Sequence, residues 1–349
     1  MNRRLAIKSL VAATLAGSIS SAQAESSSGT VAAKILKPRR LSKGDTVALI
    51  APASNTNEDE NIRITSDIIE SFGFKVRQGE NLFERYGYLA GTDQQRAHDV
   101  NSMFADDDVD AIFCARGGYG TTRILPYLDY DHIARNPKIL MGFSDITGIL
   151  TAIHAKTGLV GFHGSILKRR FSEYTLSEFK KVVMHPTART RIGAAPPFET
   201  GEGRVDAENR LTHIAGGTAR GPLLGGNLSL ISSLIGTEFE PDFHGRILFL
   251  EEVHEEPYRV DRMLTQLWLA KKLHQVAGIA FGRFTDADPS GNSLSIERVL
   301  RDRCANLGIP VVRGFMIGHI KDQTVMPIGI EAELNADDAT LTLLEPAVV

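Results

Sequence analysis

The sequence predicts an α/β fold, with an N-terminal domain built on a mostly parallel sheet with helices on both faces, plus a smaller C-terminal α/β domain. The first observation is that short apolar runs alternate with amphipathic stretches over residues 45–165. Such runs are typical of buried strands, and a regular strand–helix order indicates a parallel sheet. The second is composition, because 349 residues of which 42% are hydrophobic and 23% charged can bury a sizeable core.

The strands and helices of the N-terminal domain follow from local patterns. Each strand is a short apolar run between polar or glycine-containing stretches. Each helix carries apolar residues at helical spacing, as Ile62, Ile69 and Phe72 do before the helix-ending Gly73. In chain order, the predicted strands are 47–52, 74–77, 109–115, 139–143 and 159–162, and the predicted helices are 61–72, 94–104, 121–128 and a stretch beginning just after Ser144.

The C-terminal domain repeats the alternation after a change in character near residue 170. Residues 180–203 are first basic and then rich in Pro, Gly, Ala and Thr, a composition that predicts a linker. Beyond it, the predicted strands are 247–250, 277–281, 311–315 and a pair within 328–344, and the predicted helices are 258–273 and 296–305. The predicted organisation is a signal peptide (1–24), a polar lead-in (25–40), the N-terminal domain (41–170), a linker (171–205) and the C-terminal domain (206–349).

The N-terminus has the pattern of an export signal. Arg3, Arg4 and Lys8 accompany a short apolar stretch, and the A-x-A sequence at 22–24 offers a cleavage site. The paired arginines also resemble a twin-arginine signal. Cleavage near Ala24 removes three basic residues and no acidic one, so the formal charge changes from −3 to −6. We therefore expect a periplasmic protein without a membrane span in its mature form.

Charge and cysteine content exclude several classes of function. A net charge of −3 argues against general affinity for nucleic acid or membrane surfaces. Cys114 and Cys304 are the two cysteines of the sequence, and their wide separation makes neither a disulfide framework nor a metal site. Cys114 lies in a predicted strand and is expected to be a small buried residue. We expect no metal.

Ser144 is the most informative residue, because it lies where a predicted strand ends and a predicted helix begins. A serine on a sharp strand-to-helix turn projects clear of the sheet, and the amide of the next residue, Asp145, points toward an oxyanion formed there. The sequence G-x-S-x-G is not matched, since Ile146 stands at its last position. A non-catalytic interpretation is that Ser144 or Asp145 only caps the helix.

A glycine-rich loop, R-G-G-Y-G at 116–120, follows the predicted strand 109–115. Glycines let the backbone approach a ligand, so the Gly118 and Asp145 amides are candidate oxyanion donors. A nucleotide loop is disfavoured because Arg123 stands where G-x-G-x-x-G needs glycine. A turn without a ligand is the alternative. Arg123 is a candidate for binding a substrate carboxylate through two parallel bonds, or else a solvated helix arginine.

A catalytic serine needs a base and an orienting carboxylate. His319 follows the predicted strand 311–315, and Glu251 directly follows the apolar run 247–250, where a charge is costly without a partner. His163 is an alternative base. Glu252 is the weaker carboxylate because it should face the opposite side of its strand. These patterns predict a Ser144–Glu251–His319 triad.

Five motifs occur in this order along the chain: R-G-G-Y-G, G-F-S-D-I-T, G-G-N-L-S-L-I, L-F-L-E-E-V-H-E-E-P-Y-R-V-D-R-M-L and G-H. Together they resemble the LD-carboxypeptidases of serine peptidase family S66, over residues 41–344. It implies that Ser144 is the nucleophile, Glu251 the orienting carboxylate and His319 the base, with oxyanion amides from Gly118 and Asp145. It also implies a homodimer without metal or organic cofactor, and a peptidoglycan-derived peptide substrate that loses its terminal D-alanine.

Two other functions compete with this interpretation. Some S66 relatives are self-immunity peptidases that inactivate a peptide-nucleotide antibiotic and use an aromatic clamp with tryptophan. Trp268 lies within a helical T-Q-L-W-L-A run, where core or interface packing is the simpler interpretation. The second competitor is a periplasmic two-domain protein that binds muropeptides without turnover, which the complete Ser, Glu and His set argues against.

Overall fold

Two β-sheets organise the protein, and the strands of each are numbered here in chain order. The computed structural model describes residues 34–165 and 171–349. The predicted signal peptide and residues 25–33 of the predicted lead-in lie outside the described residues. In the described part of the chain, six strands form the first sheet and eight form the second.

The first sheet contains five parallel strands and one antiparallel edge strand. The spatial order is β12-β5-β4-β3-β1-β2, with β12 antiparallel to β5. Strands β3 and β4 are buried throughout, which explains why they are continuous apolar runs rather than alternating ones. The strands are β1 (Thr46–Ile50), β2 (Lys75–Gln78), β3 (Ala111–Cys114), β4 (Ile139–Gly142), β5 (Gly161–His163) and β12 (Met326–Ile328).

Helices follow the strands of the first sheet, and their ends have identifiable causes. The second helix starts at a capping box in which Thr92 and Gln95 bond each other's backbone. The predicted helix 121–128 is instead a short helix followed by a 3-10 turn, because Pro126 cannot donate within a longer helix. The helices are α1 (Asp59–Ser71), α2 (Asp93–Ala105), α3 (Thr121–Ile124), α4 (Tyr130–Arg135), α5 (Thr147–Thr157) and α6 (Glu173–Val183).

The second sheet has a parallel centre and antiparallel flanks. The order is β6-β14-β13-β8-β9-β10-β11-β7, in which the run from β8 to β11 is parallel. The strands are β6 (Thr190–Ile192), β7 (Thr212–Ala215), β8 (Thr218–Asn227), β9 (Ile247–Val253), β10 (Gly278–Thr285), β11 (Val311–Arg313), β13 (Glu331–Asn335) and β14 (Thr340–Leu343). The helices are α7 (Leu228–Ser233), α8 (Pro257–Leu269) and α9 (Ile296–Cys304). The predicted α/β fold class is confirmed.

The segment 171–205, which the sequence predicts to be a linker, contains regular secondary structure. It contains α6, which begins where the Ser172 hydroxyl accepts a bond from the Thr175 amide, and strand β6 of the second sheet. Phe179 is buried, with its ring centroid 5.6 Å from that of Phe72. The amphipathic pattern of α6 precedes the Pro- and Gly-rich part of the segment, and composition averaged over both parts hid it.

Two further observations bear on the sequence-based predictions. Among the residues that the structure describes, no helix combines the length and the apolar character that crossing a bilayer requires. Cys114 and Cys304 are both buried and unpaired, and burial raises the pKa of each thiol. The prediction of a small buried Cys114 is therefore confirmed.

Candidate active site

Ser144 lies at a sharp turn between β4 and α5. After β4 ends at Gly142, a single 3-10 turn at Ser144–Ile146 leads directly into the helix. Ser144 has a φ of 60°, in the left-handed region that non-glycine residues rarely adopt. Such strain persists where the surrounding structure enforces it, and it clusters at functional sites. No side chain caps either helical segment, so the interpretation of Ser144 or Asp145 as a helix cap is wrong.

The Asp145 side chain connects this turn to the neighbouring helix α3. Its Oδ2 accepts a hydrogen bond of 2.8 Å from the Thr121 amide, and the Thr121 hydroxyl donates to the Asp145 carbonyl at 2.5 Å. Burial raises the pKa of this carboxyl, and the bonds from Thr121 oppose that rise. The side chain is thus committed to structure, which leaves the Asp145 amide as its contribution to the site.

The glycine loop packs directly against the serine turn. A Cβ placed on Gly117 would lie 2.9 Å from the Phe143 carbonyl oxygen, 3.0 Å from the Ser144 Cβ and 3.2 Å from the Asp145 amide nitrogen. Gly118 has a φ of 108°. Within residues 34–165 and 171–349, the amides of Gly118 and Asp145 donate no hydrogen bond. Two unused donors beside a serine hydroxyl are what stabilisation of an oxyanion requires.

We expect Gly117→Ala to lower kcat for peptide hydrolysis about 100-fold with a smaller change in KM. The added methyl has no φ penalty, since Gly117 does not have a positive φ. It must instead push the loop away from the serine turn, and displacing one oxyanion donor costs about that factor. Steady-state kinetics measure the effect. The control is Gly201→Ala, where a Cβ meets nothing within 4 Å and kinetics should not change.

Glu251 and His319 form a hydrogen-bonded pair. The distance from His319 Nδ1 to Glu251 Oε2 is 2.8 Å, and the Glu251 side chain is fully buried while that of His319 is 21% exposed. Burial raises the pKa of the Glu251 carboxyl, and the bond from His319 opposes that rise. A Cβ on Gly318, whose φ is 117°, would lie 3.0 Å from Glu251 Oε2, so only glycine fits there. The carboxylate orients the imidazole through Nδ1 and leaves Nε2 available for a reaction.

The imidazole of His319 lies next to the serine turn. Its ring centroid is 4.7 Å from that of Phe143, the residue immediately before Ser144. Among the described residues, no hydrogen bond joins the Ser144 hydroxyl to His319. Such bonds are often long before substrate binds and tighten in the complex. The structure thus forms the Glu251–His319 bond of the predicted triad and places the imidazole against the residue that precedes Ser144.

Glu252 has a different environment, as its strand position predicts. Its carboxylate accepts bonds of 2.8 Å from the Asn227 side-chain amide and of 2.9 Å and 2.7 Å from the amide and hydroxyl of Ser229. The backbone amide of Asn227 also donates to the Thr147 hydroxyl at 3.0 Å. These bonds fix the start of α7 against the start of α5, so Glu252 and Asn227 hold structure around the site.

Arg123, the candidate for binding a substrate carboxylate, already has a carboxylate partner in this structure. Its guanidinium already forms a bidentate pair with Asp93, with distances of 2.9 Å from Nε to Oδ1 and 2.9 Å from Nη2 to Oδ2. This pairing raises the pKa of Arg123 and lowers that of Asp93. The edge of the guanidinium that would bind a substrate carboxylate is therefore occupied by Asp93. Asp93 lies thirty positions away in sequence, so the local pattern around Arg123 gives no sign of this pair.

His163 and Trp268 are also placed by the structure. His163 is fully buried, with Nε2 3.8 Å from Glu251 Oε1 and its ring centroid 6.1 Å from that of Phe143. The geometry favours His319 over His163 as the base, because His319 is partly exposed and directly bonded to Glu251. Trp268 is 39% exposed, which rules out core packing.

Sequence reasoning missed Ser54, which follows β1 and whose hydroxyl accepts a bond of 3.0 Å from the amide of Tyr119 in the glycine loop. Its place just beyond a strand end is the signal that could have found it.

Two protein-family descriptions and several curated proteins match most of this chain. The family described as "LD-carboxypeptidase N-terminal domain" matches residues 47–164, and the one described as "LD-carboxypeptidase C-terminal domain" matches residues 220–334. A "Probable murein peptide carboxypeptidase" of Bacillus subtilis is 42% identical over 310 residues, covering 88% of this chain and 94% of the relative. The "Murein tetrapeptide carboxypeptidase" of Pseudomonas aeruginosa is 33% identical over 297 residues, covering 83% of this chain and 93% of the relative.

A solved structure shows the same fold. The "Structure of MccF in complex with glutamyl sulfamoyl guanosine" superimposes with a TM-score of 0.82 at 24% identity, covering 90% of this chain and 100% of the other. At that identity the likeness concerns the fold. The structural similarity and the two family matches therefore agree with each other over most of the chain.

Proposed function

Since this chain belongs to the S66 family of LD-carboxypeptidases and is a serine-type carboxypeptidase, we propose that it releases the terminal D-alanine from murein tetrapeptides. The observation that carries the proposal is the buried Glu251 bonded to His319 beside the strained Ser144 turn. The names of the Bacillus subtilis and Pseudomonas aeruginosa relatives support the choice of a murein peptide.

The proposed mechanism uses the groups already described. His319 Nε2 removes the proton from the Ser144 hydroxyl as the oxygen attacks the carbonyl before the terminal residue. The amides of Gly118 and Asp145 donate to the oxyanion of the tetrahedral intermediate. The protonated imidazole, stabilised through Nδ1 by Glu251, then gives its proton to the amine of the departing D-alanine. Water attacks the acyl-enzyme with the same histidine as base, and Ser144 is restored.

Among the described residues, no group of three or more His, Cys, Asp and Glu side chains is placed to hold a metal. The two halves of the machinery come from both sheets, because Ser144 follows β4 of the first and Glu251 ends the apolar part of β9 in the second. Substrate therefore binds where the carboxyl ends of these strands meet.

Product analysis on defined peptides tests the proposal. Purified protein incubated with a murein tetrapeptide should yield the tripeptide and free D-alanine by mass spectrometry, and the matched pentapeptide and L-alanine-terminated peptide should remain intact. An aminoacyl sulfamoyl nucleotide forms a second arm, because the fold likeness includes a protein solved with such a molecule. Cleavage of the nucleotide conjugate without release of D-alanine would replace the proposal by the self-immunity function. Binding without any product would favour a muropeptide-binding protein.

We also propose that the enzyme acts in the periplasm as a homodimer. The basic residues and A-x-A sequence of the first 24 positions support export. Cell fractionation with N-terminal sequencing should locate a mature chain that begins just after Ala24. Sedimentation equilibrium should give twice the mass of that chain.

A further inference from the structure

His163 is a buried histidine for which the mechanism above has no use. Its imidazole is enclosed by aromatic rings, with centroid distances of 6.1 Å to Phe143 and 5.7 Å to Phe249. Its Nε2 lies 3.8 Å from Glu251 Oε1, the oxygen that does not bond His319. Both atoms are fully buried, and neither has a hydrogen-bond partner among the described residues. A buried donor and a buried acceptor that face each other without other partners are rare in proteins.

By distance and angle, no other described group forms a hydrogen bond with this oxygen of Glu251. Asn227 is opposite Glu251 on the adjacent strand; its side-chain amide donates to Glu252 at 2.8 Å, and its closeness to Glu251 also helps to lower the pKa of that carboxyl. Gly318 packs against the carboxylate without a side chain. The charged or titratable side chains that face His163 are Glu251 itself and His319. His163 Nε2 is the buried, unbonded nitrogen that faces this oxygen, so it is the donor we consider for it.

We propose that His163 donates its Nε2 proton to Glu251 Oε1 and so acts as a positioning residue for the triad. The separation shortens to an ordinary hydrogen bond through a movement of less than about 1 Å. The carboxylate is then held by two imidazoles, with His319 on one oxygen and His163 on the other. This fixes the plane of the carboxylate and, through it, the direction of His319. The proposal rests on the proposed function, since it deepens the role of Glu251.

The environment of His163 suits a permanent donor. Burial, and secondarily the neighbouring His319, lowers the pKa of His163 to about 3, so the imidazole stays neutral throughout the working range. A neutral imidazole carries one N–H, and its position is set by the partner that accepts it. His163 therefore adds a hydrogen bond to the carboxylate without adding a second positive charge beside His319.

Replacement of His163 tests the proposal. His163→Phe fills the aromatic enclosure but removes the donor, and we expect kcat to fall about 10- to 100-fold with KM nearly unchanged, as for other residues that orient a catalytic group. His163→Gln places an amide nitrogen near the Nε2 position and should recover most of that loss. The control is His154→Asn at another buried histidine, whose Nδ1 contacts the Leu159 carbonyl. It should alter thermal stability with kcat preserved.

Two readouts keep this test separate from that of the proposed function. Covalent labelling of Ser144 by a fluorophosphonate requires an activated serine but no peptide, so slower labelling of His163→Phe supports the role even where tetrapeptide is not cleaved. Nitrogen-15 NMR of the wild-type imidazoles requires no variant and should show His163 protonated at Nε2. A wild-type His163 protonated at Nδ1, a fully active His163→Phe, or a His163→Gln as impaired as His163→Phe would each overturn the proposal.

Discussion

Replacing Ser144 by alanine should lower kcat for D-alanine release by about 10⁴- to 10⁶-fold. The hydroxyl is the atom that forms the acyl-enzyme, and removing a nucleophile of a triad leaves what the oxyanion donors and substrate binding supply. The fold should not change, because the Ser144 side chain caps no helix. Steady-state kinetics by D-alanine detection measure the loss, and circular dichroism checks the fold.

A matched variant separates the chemistry of Ser144 from its strain. Ser144→Gly also lacks the hydroxyl and should be as inactive as Ser144→Ala. It should nevertheless unfold at a higher temperature than the alanine variant, since glycine adopts the φ of 60° without the penalty of about 1 kcal/mol that other residues incur. Near-normal turnover in either variant would contradict the assignment of Ser144 as nucleophile. Equal stability of the two would contradict strain at the turn.

Glu251→Gln should lower kcat by about 10³- to 10⁴-fold while keeping the protein at least as stable at neutral pH. The amide keeps the shape of the carboxylate but favours the wrong tautomer of His319 and does not stabilise its charged form. Loss of activity with unchanged KM is the expected kinetic result. A glutamine variant with a turnover close to that of the wild type would remove Glu251 from the mechanism.

The stability effect has a defined sign with pH. The pKa of Glu251 is raised in the folded protein, mainly by burial, so the folded state holds this proton more tightly than the unfolded chain. The contribution of Glu251 to stability is therefore complete below its unfolded pKa of about 4.3, and is lost as pH rises through the folded pKa. The glutamine variant has no group that titrates at this position, so its free energy of unfolding does not fall for this reason as the pH rises. Urea unfolding at several pH values should show that Glu251→Gln becomes increasingly more stable than the wild type as the pH rises above about 4.3. The reverse trend would show that the partners of Glu251 stabilise its ionised carboxylate.

The fold and the serine turn could be predicted because they depend on neighbouring residues. An apolar run followed by helical spacing defines the strand, the turn and the helix around Ser144 without reference to the rest of the chain. Glu251 could also be predicted, since a charge directly after a buried apolar run needs a partner wherever that partner comes from. The choice of His319 among ten histidines drew strength from the family resemblance as well as from its position after a strand.

What could not be predicted depends on contacts between distant segments. Asp93 occupies the edge of Arg123 because α2 and α3 pack side by side, a relation that neither sequence pattern contains. The approach of His163 to Glu251 joins residues from different sheets. The φ of Ser144 is likewise a property of the assembled turn, because serine in isolation avoids that region.

The antiparallel edge strand Met326–Ile328 determines when the native protein can be completed. It pairs with β5, so that edge of the first sheet stays open until a segment far along the chain has folded back onto it. An open edge is a template for association with other chains, which makes the interval before its arrival a vulnerable one. The part that carries the serine therefore cannot complete its sheet alone, because its edge strand comes from the part of the chain that carries the histidine.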